Sequence, residues 1–161
     1  MPPTLFLAMF LGKYFHTIDD KGRVAIPHKF RTHLGGPNEG RVVITLSPRP
    51  ELSYLDIYPA DRWEQILEQI LATQIQGEDP QEVQEAVLAN YIHPAQEAVL
   101  DKQGRILVPQ EHRDAAGIKK DVVYTGDIRK FRLWSLEQWQ RYSEQAARNK
   151  GKIKDLKGIW L

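Results

Sequence analysis

The sequence predicts an α+β fold made of two pseudo-symmetric β-units with short flanking helices. Three observations carry this. Ile18-Asp-Asp-Lys-Gly-Arg-Val-Ala-Ile-Pro27 recurs 82 residues later as Leu100-Asp-Lys-Gln-Gly-Arg-Ile-Leu-Val-Pro109. The order then repeats, with Val42-Val-Ile-Thr45 echoed by Val122-Val-Tyr-Thr125 and Tyr58-Pro-Ala-Asp-Arg-Trp63 by Trp134-Ser-Leu-Glu-Gln-Trp139. Each unit spans only roughly 55 residues, small for an independent core, so the two are expected to share one.

Each element has a local reason. Lys13 to Ile18 alternates, with Tyr14, His16 and Ile18 on one face, and reads as a strand. Asp19 to Gly22 is a turn whose glycine tolerates positive φ. Arg23 to Ile26 is a second strand with Val24 and Ile26 on its inner face. Pro27 opens a short helix that Phe30 and Leu34 anchor and Gly35 stops. Gln96 to Leu100, the turn Asp101 to Gly104, Arg105 to Val108 and a helix from Pro109 to Gly117 repeat this order. Val42 to Leu46 and Leu55 to Tyr58 follow in the first unit, Asp121 to Thr125 and Lys130 to Trp134 in the second. A helix closes each: one carries the stripe Trp63, Ile66, Leu67, Ile70 and Leu71, the other the capping pair Ser135 and Gln138. Gly77-Glu-Asp-Pro80 breaks the chain, and a further helix from Gln81 to about Ile92 links the halves.

Composition narrows the function. Hydrophobic residues at 42 % and charged residues at 27 % are ordinary for a soluble globular protein. The absence of cysteine excludes disulfides and thiolate metal sites and fits a cytoplasmic chain. With 22 Lys and Arg against 21 Asp and Glu the net charge is +1, so nucleic-acid binding requires a local patch. Leu5 to Leu11 is apolar but lacks a basic n-region and is far short of a bilayer span; it reads as a leader into the first strand.

The candidate site is the glycine turn before each arginine. A guanidinium presents a rigid fork that pairs bidentately with guanine O6 and N7 or with phosphate. Lys21, Lys29 and Arg31 cluster near Arg23, and Lys102 and Arg113 near Arg105. Asp19 and Asp101, four residues before each arginine, either fix its rotamer or accept from cytosine N4. The competing reading is a purely structural ion pair across a tight turn. His16, His28, His33, His93 and His112 show no ligand spacing, and neither a Gly-x-Ser-x-Gly elbow nor a phosphate-cradling loop occurs. Trp63 and Trp139, at matching helix positions, read as core anchors.

Lys13 to Pro27, Gln96 to Pro109, the Ala95-Gln-Glu97 lead-in and Phe131-Arg-Leu-Trp-Ser135 together closely resemble the MraZ proteins, bacterial transcriptional regulators related to the AbrB class. The resemblance covers about residues 9 to 146. It implies two AbrB-like units of the double-psi or swapped-hairpin barrel type, at residues 9–75 and 95–147. A linking helix at 76–94 and a basic tail at 148–161 complete the chain. It implies a homo-oligomeric ring, an octamer or larger. The ring would bind double-stranded DNA at short direct repeats in the promoter of the division and cell-wall gene cluster. Carried over, the DNA-contacting pairs are Asp19 with Arg23 and Asp101 with Arg105. Gln103 stands where the first copy has Lys21, so the copies need not bind equally. A cytoplasmic, nucleoid-associated protein with no cofactor, no membrane and no small-molecule substrate is expected. Two rivals remain: a ring that only binds proteins, and a hydrolase, which would need a deep pocket containing His16 and Asp19.

Overall fold

The computed structural model describes residues 9–35, 40–73 and 79–159. Most of the apolar leader, Gly77 and Glu78 of the chain break, and the final Trp160-Leu161 lie outside the described residues. The first repeat runs β1 (Lys13–Thr17), β2 (Arg23–Ala25), α1 (His28–Arg31), β3 (Arg41–Leu46), β4 (Leu55–Pro59) and α2 (Ala60–Ala72). α3 (Pro80–Val87) and a π-helical turn (Leu88–Ile92) follow. The second repeat runs β5 (Gln96–Val99), β6 (Arg105–Leu107), α4 (Gln110–Ala116), β7 (Asp121–Asp127), β8 (Lys130–Ser135) and α5 (Leu136–Arg148), and a 3-10 helix (Lys150–Asp155) ends it.

The fold is mixed, with one six-stranded antiparallel sheet in the order β1-β7-β8-β4-β3-β5 and a two-stranded ribbon of β2 and β6. Exchanging the repeats turns the six-strand order into its own reverse, which is the signature of a pseudo-two-fold axis between β4 and β8. The repeats are interleaved: β1 pairs with β7 of the second repeat, and β5 with β3 of the first. One core results, drawing Ile18, Val24, Ile26, Phe30, Val42 and Ile44 from one repeat and Ile106, Val108, Val122, Tyr124, Phe131 and Leu133 from the other.

Alternation sets which residues enter that core. In β1, Tyr14 and His16 are half-buried while Phe15 is exposed. In the ribbon, Val24 and Ile26 face inward beside Ile106 and Val108, and all four are buried. β3, β4 and β8 are buried along most of their length; β3 reads as a nearly continuous apolar run, while β4 and β8 carry Asp56, Lys130 and Arg132 among their apolar residues.

Several sequence expectations change. Phe10, read as part of a leader, is fully buried against Phe30 and Phe131, with ring centroids at 5.4 and 5.0 Å. Its amide and carbonyl bond the backbone of Ile128, and a side chain at Gly126 would collide with its main chain. Gly35 does not stop α1. That helix is a single turn, and i→i−3 bonds at His33 and Leu34 (both 3.0 Å) carry Leu34 into the core instead. Gly117 does act as the left-handed cap of α4, at φ 65°. Trp63 and Trp139 are only half-buried: Trp63 lies 5.3 Å from Tyr58, and Trp139 rests 5.6 Å from exposed Phe15. Among the described residues the fully buried tryptophan is Trp134, whose Nε1 donates to Thr125 Oγ1 at 2.9 Å.

The linking helix also departs from a plain α-helix. Its last turn widens, with the His93 amide donating to the Leu88 carbonyl at 2.8 Å. The wider turn aims Tyr91 into the molecule. Its hydroxyl donates to Asp56 Oδ2 at 2.6 Å, and its carbonyl accepts from Thr45 Oγ1 at 2.5 Å. Asp56 is wholly buried, and Lys130 Nζ closes on the same Oδ2 at 2.9 Å. Tyr58 shares a 2.6 Å hydrogen bond with Tyr91. This polar cluster ties the linker to β3, β4 and β8. Burial, reinforced by the Asp56 carboxylate, pushes the Tyr91 hydroxyl far above its ordinary range, so it remains a neutral donor.

Candidate nucleic-acid interface

The two glycine turns are built alike. Asp19 Oδ1 accepts from the backbone amides of Lys21 (3.0 Å) and Arg23 (2.8 Å), and Oδ2 accepts from Arg23 Nε at 2.8 Å. Asp101 Oδ1 accepts from Gln103 and Arg105 amides at 2.9 Å each, and Oδ2 accepts from Arg105 Nε at 2.9 Å. An aspartate reaching two residues along its own chain is the side-chain version of a turn, which is why this residue precedes each glycine. The structural and orienting readings are therefore one arrangement. One oxygen closes the turn and the other aims the guanidinium. The backbone amide of Arg23, then its guanidinium, hold the Asp19 carboxyl below the usual carboxylate range, and Arg105 does the same for Asp101.

Each turn is also clamped by the opposite repeat. The Gly22 carbonyl accepts from Val108 N (2.8 Å), and the Gly104 carbonyl accepts from Ile26 N (2.9 Å). Both glycines have positive φ, 88° and 75°. A Cβ on Gly22 would lie 2.7 Å from the Val108 carbonyl oxygen, and one on Gly104 would collide with the Arg31 side chain. Arg31 covers the second repeat's turn. Arg113 covers the first and donates from Nε to the Val108 carbonyl at 3.1 Å. The structure thus places Arg31 and Arg113 half-buried over the turns of the opposite repeats.

Arg23 and Arg105 are placed differently. Register sets Arg23 opposite Leu107 and Ala25 opposite Arg105, so these four share the ribbon face that points away from the core. The arginine side chains keep 41 % and 33 % of their surface exposed. Only Nε is engaged in each, so both Nη groups lack partners among the described residues. Both arginines line one open groove with His16, Thr17, Ala25, Lys120 and Asp121. Lys21, Lys29 and Lys102 are exposed but do not line it. Burial, with the Arg31 charge adding to it, pushes His16 below its ordinary value, so it lines the groove as a neutral ring.

Lys120 was missed from the sequence. It sits just before β7, and only the cross-repeat pairing of β7 with β1 brings it to the groove; the Ile18 amide donates to its carbonyl at 2.8 Å. The copies also differ at Ala25 and Leu107, and Leu107 is 57 % exposed on the outer ribbon face. His16 and Asp19 do share this groove, as a hydrolase would need. The groove is open rather than deep, and both oxygens of Asp19 are engaged by Lys21 and Arg23.

Fold and groove together define a duplicated α+β protein that displays two matched arginines on a β-ribbon. A family model described as "MraZ protein, putative antitoxin-like" matches residues 9–84 and 92–155. The transcriptional regulator MraZ of Leuconostoc citreum is 36 % identical over 141 residues, covering 88 % of this chain and 91 % of that protein. The protein of the same name from Caldanaerobacter subterraneus is 38 % identical over 136 residues, covering 84 % and 87 %, and that from Roseiflexus sp. is 40 % identical over 132 residues, covering 82 % and 85 %. The chain belongs to the MraZ family.

Proposed function

We propose that this chain is a sequence-specific DNA-binding regulator of transcription, acting at the promoter of a division and cell-wall gene cluster. The observation that carries this reading is the pair of aimed guanidiniums on one outward face of a two-stranded ribbon. A ribbon of this width fits the major groove, and a fork held by Asp at Nε presents its two Nη groups to guanine or phosphate. Arg23 and Arg105 make those contacts, Asp19 and Asp101 orient them, and Lys21, Lys29, Lys102 and Lys120 meet phosphates. Arg31 and Arg113 hold the turns that carry the pairs.

A net charge of +1 limits what one chain gains from phosphates. A head-to-tail ring of such chains, each an interleaved barrel of the swapped-hairpin type, matches tandem direct repeats. Its second contact is effectively intramolecular, which supplies avidity. The setting is cytoplasmic and nucleoid-associated, and the family names of the relatives support the regulatory role.

Anisotropy titrations of a duplex from upstream of the chain's own gene, run across salt concentrations, test this. Affinity falls steeply with salt, by about 0.9 in log–log slope per neutralised phosphate. Lys21→Ala lowers the slope by about one for each engaged site, while sequence preference is unchanged. A salt-independent affinity overturns the reading.

A further inference from the structure

α2 and α3 leave an apolar groove open between them. Ile66, Ile70 and Leu71 of α2 line it with Val83 and Val87 of α3 and Leu88 beyond it. Leu71 is 81 % and Val83 43 % exposed, and α3 buries no residue at all. The flanks are acidic. Over 60–73 and 79–92 six carboxylates, Asp61, Glu64, Glu68, Asp79, Glu82 and Glu85, stand against Arg62 alone.

The tail is its complement. Over 148–159, Arg148, Lys150, Lys152, Lys154 and Lys157 stand against Asp155 alone. Ile153, Leu156 and Ile159 are each more than half exposed, and the 3-10 helix Lys150–Asp155 buries nothing. Ile153 lies on that helix, and Leu156 and Ile159 follow beyond its end, each three residues further on. Among the described residues, nothing buries these apolar side chains and their flanking lysines, and nothing fills the apolar groove flanked by carboxylates.

We infer that the α2–α3 groove receives the C-terminal tail of a second copy of this chain. Ile153, Leu156 and Ile159 fill the groove and the lysines meet Glu82, Glu85 and the α2 carboxylates. Tail and groove are different surfaces, so the contact is heterologous. Such a contact propagates from copy to copy until it closes, which yields a ring where the rotation allows. This rests on the assembly part of the proposed function and is independent of what the arginines bind.

Light scattering coupled to gel filtration tests it, with the full chain compared against a chain ending at Arg148, Leu71→Glu/Val83→Glu and Ile153→Glu/Leu156→Glu. All four substituted side chains are exposed or half-exposed, and circular dichroism checks that each variant folds. The full chain elutes as a multiple of 18.6 kDa, and each variant shifts toward 18.6 kDa or dissociates at least tenfold more readily on dilution. Charge reversal at Glu82 and Glu85 to Lys weakens assembly, and adding Lys152→Glu and Lys154→Glu restores it. An assembled full chain whose truncation leaves mass and dilution behaviour unchanged overturns this inference alone. A tail that contributes only to DNA affinity, or to binding of anionic vesicles, overturns it in the same way. A full chain monomeric at every concentration removes the assembly reading itself.

Discussion

Replacing Arg23 and Arg105 together by alanine removes specific DNA binding while the protein stays folded. Each guanidinium aimed at a base edge is worth about 1–3 kcal/mol of discrimination, so the pair controls roughly a hundredfold or more in affinity. The avidity of several chains on tandem sites multiplies that loss. The cost to the fold is small because both arginines are partly exposed and their Nε contacts are near-surface pairs, which contribute about 0–1 kcal/mol. The turn itself survives: Asp19 Oδ1 still accepts from the amides of Lys21 and of residue 23, and Asp101 Oδ1 does so in the second copy. Gel shift and thermal melting, read side by side, check both halves. Single replacements separate the copies, whose surroundings differ at Lys21 against Gln103 and Ala25 against Leu107.

Asp56→Ala gives the opposite outcome, a large loss of stability without direct damage to the arginine groove. Asp56 is wholly buried, and Lys130 Nζ at 2.9 Å is its close ion-pair partner. Arg132 Nε lies 4.0 Å from Oδ1, and its guanidinium also packs 4.3 Å from the Tyr54 ring. Without the carboxylate, a largely buried ammonium keeps only the looser, 3.8 Å contact to Asp127, and the Tyr91 hydroxyl loses its carboxylate acceptor. Breaking a buried pair in this way costs about 3–5 kcal/mol. For a domain of this size that lowers Tm by roughly 10 °C or more. Burial opposes the charge on Lys130, but the Asp56 carboxylate outweighs it and raises its pKa. The pair's contribution is therefore full below the ordinary lysine value of about 10.4 and is lost only as pH rises through the raised one. Differential scanning calorimetry at neutral pH measures the loss. Tyr91→Phe, which removes the hydrogen bonds to Asp56 and Tyr58 and leaves the ion pair, costs less, about 1–3 kcal/mol.

Local features were the legible part of this chain. The glycine turns, the alternation of β1 and β2 and the Ser135 cap follow from near neighbours, and the structure reproduces them. Ser135 Oγ accepts from the Gln138 amide at 3.1 Å. Features set by distant pairing were not legible. A repeat implies two similar units, but nothing in the order of residues says that β1 pairs with β7 rather than within its own half. Lys120, Arg31 and Arg113 could not be placed for that reason, since each acts on the opposite repeat. The widened turn before His93 was hidden as well. Val83, Val87, Leu88 and Tyr91 fit an ordinary helical face, and only the distant acceptor Asp56 makes the extra residue favourable. Phe10 looked like part of a leader because its partners Phe30 and Phe131 lie far along the chain.

The absence of cysteine makes one measurement especially direct. Ala25→Cys places a lone thiol between the two arginines on the outer face of the ribbon, and Gln140→Cys places one on the exposed side of α5 as a control. Each is mixed with a duplex from the chain's own promoter that carries a tethered disulfide in the major groove. DNA bound across the arginine ribbon cross-links rapidly at position 25 and not at position 140, and excess unmodified promoter competes the product away. Cross-linking at position 140 with none at position 25, or equal yields on scrambled duplex, contradicts a DNA-facing ribbon.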